Sequence, residues 1–545
     1  MLADAMPSFV QSLDPLHSTL GTTLVALIPI VLLLILLPVV RMTAWQAVII
    51  GAVVTILLAI FVWNTPVGGA LGSWGLGAGT GIWSIDWITF WGVIIYNTLM
   101  RIGAFGDFRR WLVAQATADI RVQTILLAWS LGALLEGLVG FGYPWAVIAP
   151  ILIGLGVIEL DAIRVAAIAN NAPVSFGALG APIIALSTVT GLSLQSLSSS
   201  IGLIVAVLAL LPPWILIWLV TGKRGLRGSW PLAIVASFSF ILGQLPTSQY
   251  LGPYLPDIIG SIVSFGAILL LLKVWRPKQT LGFGGVPIDD GGTVLADDEG
   301  KPAPGMREAM RGFIPFGILI VIVVAATGPW STLGKIDLMK PTVEAVSSLS
   351  HKPATVAWEF SPFVAGTWIL VSWIVIVAVM RVKWADIATV FRTTFSQMWG
   401  ALLVGPIIFG LADVFNYSGM ANSMAFGFSR IGPAFLILAP IVGWIGVALS
   451  GSNTSTNALF GGFQYSLGGL LHMPMLLLPS LNSVGAEVGK PIAPQTASVG
   501  VSTSKFVRRE GDIIRHNLSW TLVLLGYLIL VALLYRFVFP SAMVP

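Results

Sequence analysis

The sequence predicts an all-α polytopic membrane protein built from two inverted-topology repeats, each with a re-entrant hairpin and a broken helix. Three observations predict this class. Of 545 residues, 56% are hydrophobic and only 9% charged, with a mean hydropathy of +0.93, where a soluble chain carries roughly 25% charge. Apolar runs approaching the about 20 residues a helix needs to cross a bilayer recur along the whole chain. Four of the longer runs are interrupted by Gly, Pro, Asn and Ser, and the interruptions fall in matched pairs.

Taken in order, residues 1–19 carry Asp4 and Asp14 but no Lys or Arg, which is no signal peptide; they read as an external segment. A first transmembrane repeat occupies 20–222, with spans at 20–40, 45–62 and 83–100. A long stretch, 123–157, is broken at 136–144, a second, 164–191, is broken at 170–182, and 201–220 is uninterrupted. A linking hairpin, 223–272, has arms at 230–245 and 258–272. Residues 273–311 hold Asp289, Asp290, Asp297, Asp298 and Glu299 and read as a solvated cytoplasmic linker. The second repeat, 312–545, has runs at 312–326, 362–379, 398–413, 434–467 (broken at 451–457), 474–500 (broken at 482–494) and 518–539.

Basic residues cluster in loops 101–121, 223–227, 273–311, 381–392 and 505–515. Loops rich in Lys and Arg stay in the cytoplasm. Placing all five inside puts both termini outside, provided 123–157 and 434–467 enter and leave on one side. That gives about twelve full crossings and two hairpins. An offset of 311 residues carries Gly140-Phe-Gly142 onto Gly451-Ser-Asn453 and Asn171 onto Asn482. The charge rule orients the matched spans oppositely. Inverted repeats with paired broken helices point to a secondary transporter, and half-helix N-termini aimed at the midplane favour a carboxylate.

Zero cysteines exclude disulfides and thiolate chemistry. Four scattered histidines (17, 351, 472 and 516) give no metal-ligand pattern, so no cofactor is expected. The net charge of +5 is modest and its loop distribution is explained by topology, so no nucleic-acid partner is expected. Oligomeric state is not legible.

Leu135–Pro144 (LEGLVGFGYP), Asn171–Pro182 (NAPVSFGALGAP), Gly451–Phe460 (GSNTSTNALF), Asn416–Gly419 (NYSG) and Gly489–Gln495 (GKPIAPQ) together resemble the bacterial L-lactate permease family over nearly the whole chain. The resemblance implies proton symport of L-lactate, and of related 2-hydroxy acids such as glycolate and D-lactate, across the bacterial inner membrane. The partners it implies are the small monocarboxylate, protons and the lipid bilayer. Ser452-Asn-Thr454 also resembles the wider ion-transporter superfamily, whose sodium-coupled carboxylate carriers are the alternative reading. A channel or an intramembrane enzyme finds less support. Two departures stand out. The family resemblance implies Asp where this chain has Asn453, which leaves Glu136 as the leading proton carrier. Tyr143-Pro-Trp145 is bulkier than the small residues expected there and would narrow the pocket.

Glu136 lies in an apolar run, where a charge is costly and an ionisable residue is by default functional; desolvation favours its neutral form, as a proton carrier requires. The competing reading is a carboxyl that only ties hairpin to scaffold. Lys490 either holds the substrate carboxylate, is neutralised by Glu487, or snorkels to the interface. Ser452, Asn453, Thr454, Ser455, Thr456 and Asn457 offer donors for a carboxylate and a 2-hydroxyl, or cap helices. Gly140, Phe141, Gly142 and Tyr143 are their counterpart, with Phe141 packing the lactate methyl, or else a small-residue packing seam. Asn171, Ser175, Asn482 and Gln495 are polar groups at the breaks. Asp413, Tyr417 and His472 read as interface anchors, and Glu159, Asp161 and Arg164 as a mutually paired cytoplasmic turn. Substrate is expected between the tips at 140–143 and 451–457, with the linking spans 230–272 in the scaffold.

Overall fold

A computed structural model describes residues 9–37, 40, 42–115, 117–140, 142–288, 305–333, 336–349, 351, 353–501 and 510–545. The chain opens with α1 (Thr19–Leu36), whose N-cap Ser18 accepts from the Gly21 amide, and α2 (Ala44–Phe61). Next, α3 (Val67–Thr80) runs through a π-helical turn, Gly81–Asp86, into α4 (Trp87–Arg101). The span expected to begin at Trp83 therefore begins at Val67. Its Gly-rich first half has low intrinsic helix propensity, but those glycines let α3 press onto α16 (Trp384–Tyr417). A Cβ at Gly77 would stand 2.5 Å from the Phe409 carbonyl oxygen, and one at Gly81 would stand 2.7 Å from that of Gly405.

After α5 (Ala104–Gln115), the first interrupted stretch folds as α6 (Ile120–Thr124), a π turn over Ile125–Leu131 and α7 (Gly132–Leu138), followed by α8 (Tyr143–Gly154). The second comprises α9 (Glu159–Ala169), a 3₁₀ turn at Val174–Phe176, and α10 (Gly177–Thr190), with a 67° bend between its halves. The span expected to be uninterrupted at 201–220 starts earlier, as α11 (Leu194–Leu208), and is interrupted before α12 (Pro212–Tyr250). Pro212 and Pro213 lack the amide hydrogens that would carry the helix through. Within α12, Gly222 (φ +65) and Ser229 break the helix, and the chain doubles back: Gln195 donates to the carbonyls of Ser248 and Gln249. α13 (Pro256–Val274) completes the linking hairpin.

The second half contains α14 (Met306–Thr327), α15 (Ala365–Met380), α16, α17 (Met420–Ser429), α18 (Phe435–Ser450), α19 (Asn453–Leu470), α20 (Leu477–Gly489), α21 (Pro494–Val501) and α22 (Glu510–Phe537). α17 was not anticipated, because its polar, Gly-containing sequence shows no apolar run. Nor was a small sheet of β1 (Phe9–Val10), β2 (Thr342–Val346) and β3 (Pro353–Ala357), paired in that order, so the fold is helical without being all-α.

Among the described residues, eight helical stretches are long and apolar enough to cross a membrane, or up to ten if two bent pairs each count as one span. The expected count of about twelve is finer than this. Arms such as Pro144–Gly154 and Ala365–Met380 are apolar but short. Asp413 and Tyr417 are buried at 5% and 4% exposure rather than set at an interface, because glycines of α3 make room for them: both would clash with a Cβ, at Gly77 and Gly69 respectively. The Asp161–Arg164 pairing is present at 3.4 Å.

Candidate functional site

The interruptions converge on a buried polar cluster and on a cavity whose wall is largely apolar. The first is a dry cluster. Glu136, near the end of α7, is 1% exposed, and its Oε1 lies 2.6 Å from Lys490 Nζ. Asn170 Nδ2 donates to Glu136 Oε2 at 3.1 Å. Gly177 makes the space, since a Cβ there would sit 2.7 Å from Glu136 Oε1. Lys490 is 5% exposed, so it does not snorkel, and its salt-bridge partner is Glu136 rather than Glu487. Sequence distance hid this pairing, because 354 residues separate the two.

Glu487 accepts instead from the Ser175 amide at 3.0 Å, while the Ser175 and Ser483 hydroxyls meet at 3.3 Å. Asn457 donates to the Pro182 carbonyl at 2.9 Å and to Ser483 Oγ at 3.0 Å, and accepts from Asn482 Nδ2 at 3.0 Å. These bonds bind α19, α20 and the α9–α10 break into one unit. Asn457, Asn482 and Ser175 thus bridge helices, and Asn482 stands inside α20, which runs on to Gly489, rather than at the start of the break expected over 482–494. Asp257, at the start of α13, joins the cluster from the linking hairpin; it is 1% exposed and neither carboxyl oxygen has a partner. Asn171 is fully buried and both its side-chain polar atoms are unpartnered.

The second region is a cavity of about 600 Å³ between the Gly81–Asp86 π turn, α16 and the tip of the α18–α19 hairpin. Ser450, Ser452, Thr454 and Ser455 line it from the tip, Ala146 of α8 from the other hairpin, and Asp86, Thr89 and Gln397 from the opposite wall. Ser452 caps α19, accepting from the Ser455 amide at 3.2 Å, and Thr456 Oγ1 donates to the Ser452 carbonyl at 2.9 Å. Capping and lining therefore coexist, because the cap uses one lone pair and leaves the remaining hydroxyl capacity free. Asn453, in the first turn of α19, is 4% exposed with no partner for either amide atom.

Gly140 (φ +68) and Gly142 (φ +79) form the first tip, which packs on Ala178 and Thr496. Phe141 and the side chains of Tyr143 and Gln495 lie outside the described residues. Trp145, expected to narrow the pocket, is fully buried and does not line the cavity.

Asp86 escaped the sequence reading. It stands three residues after Trp83 and one before Trp87, where a carboxylate reads as the wet end of a span. A π turn, a frequent mark of functional sites, places it mid-helix. Asp257 was missed for the same reason, standing just ahead of the run expected at 258–272.

A model of the family described as L-lactate permease matches residues 22–539. The glycolate permease GlcA of Escherichia coli (strain K12) is 34% identical, covering 99% of this chain and 100% of that protein. The L-lactate permease of Bacillus subtilis (strain 168) is 31% identical, over 98% and 100%. Among solved structures, Neisseria gonorrhoeae MtrF, described as illuminating a class of antimetabolite efflux pumps, aligns over 93% of this chain and 97% of its own, with 12% identity and a TM-score of 0.49.

Proposed function

The chain belongs to the L-lactate permease family, and from that premise we propose that it imports L-lactate and related 2-hydroxy monocarboxylates, glycolate and D-lactate among them, by proton symport. The observation that carries the reading is the cavity at the α18–α19 tip, lined by Ser450, Ser452, Thr454 and Ser455. Hydroxyls and half-helix amides can hold a carboxylate and a 2-hydroxyl at once, and a substrate lacking the hydroxyl leaves them unpaired.

In this proposal the chain lies in the bacterial inner membrane with about twelve crossings and two re-entrant hairpins, as two inverted repeats with both termini outside. The basic loops and the paired interruptions support that arrangement. Alternating access then moves the hairpin-bearing elements against α16 and the π turn across the cavity. In place of the scaffold role expected for spans 230–272, the linking hairpin is assigned to the moving part, because Trp129 donates to the Ala236 carbonyl, Ser130 bonds Ser264, and Gly137 packs on Asp257. Protonation of Glu136 would remove the charge that holds Lys490, and on that ground we assign it a part in proton coupling at the step in which the hairpin-bearing elements move.

The test is uptake of labelled L-lactate and glycolate into proteoliposomes with proton and sodium gradients imposed separately. Accumulation on an inward proton gradient supports the proposal. Accumulation on sodium alone moves the chain to the sodium-coupled alternative, and uptake of neither acid rejects the substrate.

A further inference from the structure

We propose that Asp86 binds the proton that allows a carboxylate to occupy the cavity, so that substrate and proton bind as a pair at this site. The inference rests on the monocarboxylate reading above and adds a residue that reading does not use.

Among the described residues, the cavity wall contains one ionisable side chain, Asp86, and no Lys, Arg or His. Its carboxylate receives no hydrogen bond or ion pair from any described residue. It lies over Gly405, where a side chain would collide with it, beside the Gly405-Pro406 step of α16. The elements packed against the π turn are α3, α4, α10 and α16. Neither α3 nor α10 carries an ionisable side chain. On α4 and α16, Arg101 pairs with Asp386 at 2.8 Å, Arg392 is exposed, Asp413 and Tyr417 lie against Gly77 and Gly69, and Tyr96 is buried beside Phe105. None of these charges neutralises Asp86.

An anionic substrate entering this cavity meets a carboxylate with no cation among the described lining residues to offset either charge. Two like charges in a poorly solvated space repel strongly. One proton, taken from the aqueous phase onto an Asp86 oxygen, turns the repelling group into a neutral acid with an O–H donor. Proton and substrate then raise each other's affinity by reciprocal linkage. Glu136, paired with Lys490 outside the cavity, acts at the movement step proposed above and not at substrate binding.

The experiment is calorimetric titration of the purified full-length protein with L-lactate in two buffers of different ionisation heat, which counts protons taken up per ligand. The wild type should take up close to one proton per lactate, with affinity falling about tenfold per pH unit above the midpoint. Asp86→Asn should bind lactate with almost no proton uptake and a flat pH profile. In liposomes it should exchange lactate across the membrane but not accumulate it on a proton gradient. Undiminished uptake in Asp86→Asn overturns the assignment, as does sodium-dependent binding without proton uptake in the wild type. Should Asp86→Asn not be recovered folded, Asp86→Glu decides: a shifted pH midpoint supports the proposal and an unchanged profile overturns it. A wild type that binds neither lactate nor glycolate fails the transport reading itself, a result distinct from binding that ignores Asp86.

Discussion

Lys490 Nζ stands 2.6 Å from Glu136 Oε1 in a setting where both residues are at most 5% exposed. The pair ties the 3₁₀ turn after α20 to the end of α7 and closes the break of one half of the chain onto that of the other.

Removing one member of a buried ion pair leaves an uncompensated charge, at a cost of about 3–5 kcal/mol, whereas replacing both costs far less. Lys490→Met should therefore lower thermal stability in detergent more than the double variant Lys490→Met/Glu136→Leu. A double-mutant cycle on unfolding temperatures measures the coupling, and simple additivity would show that the pair contributes nothing.

Gly177→Ala puts a methyl group 2.7 Å from Glu136 Oε1. Overpacking of this kind costs about 1–3 kcal/mol, and here it also disturbs the contact with Lys490. Reduced stability with reduced proton-driven uptake is the expected outcome. Full activity would mean that Glu136 does not need its observed position.

Thr454→Val keeps the shape of the side chain and deletes a hydroxyl at the cavity wall. Loss of one such hydrogen bond weakens binding by about 3–10-fold. The KM for lactate should rise by that factor while that for propionate, which lacks the 2-hydroxyl, stays nearly constant. Equal changes for both acids would remove Thr454 from hydroxyl recognition.

Asn457 and Asn453 should behave oppositely. Asn457→Ala deletes two donated bonds and one accepted bond in the buried core and should destabilise the protein by about 1–3 kcal/mol. Asn453→Ala removes a buried amide with no partner, so stability should hold or rise while lactate affinity falls. Thermal shift with and without lactate reads both effects.

The absence of cysteine makes topology directly testable by single-cysteine labelling. Val544→Cys, at an exposed site near the C-terminus, should react with a membrane-impermeant maleimide in intact spheroplasts. Lys278→Cys, at an exposed site in the basic loop after α13, should react only after lysis. The reverse pattern inverts the proposed orientation.

Much of the framework was legible because lipid is a demanding solvent. Backbone polar groups must be satisfied within each segment, so apolar runs declare helices, and Gly-Ser, Asn-Pro and Gly-Phe-Gly steps declare breaks. The α18–α19 tip, the α7–α8 tip and the interruption between α9 and α10 all fall where the chain's small and polar residues place them. Helices held by packing were less visible. α3 is Gly-rich, and only its fit against α16 makes a helix of it.

The sequence alone therefore determined membership of a membrane-carrier family, the positions of the α7–α8, α9–α10 and α18–α19 breaks, and the polar groups gathered at them, since each follows from local composition and one-dimensional order. Tertiary structure decided which groups face one another. It joined Lys490 to Glu136, gave Asn457, Asn482 and Ser175 to helix bridging, and drew Asp86 and Asp257 from the apparent ends of spans into the interior. Such pairings depend on helix rotation and close approach across hundreds of residues, which periodicity along one chain does not encode.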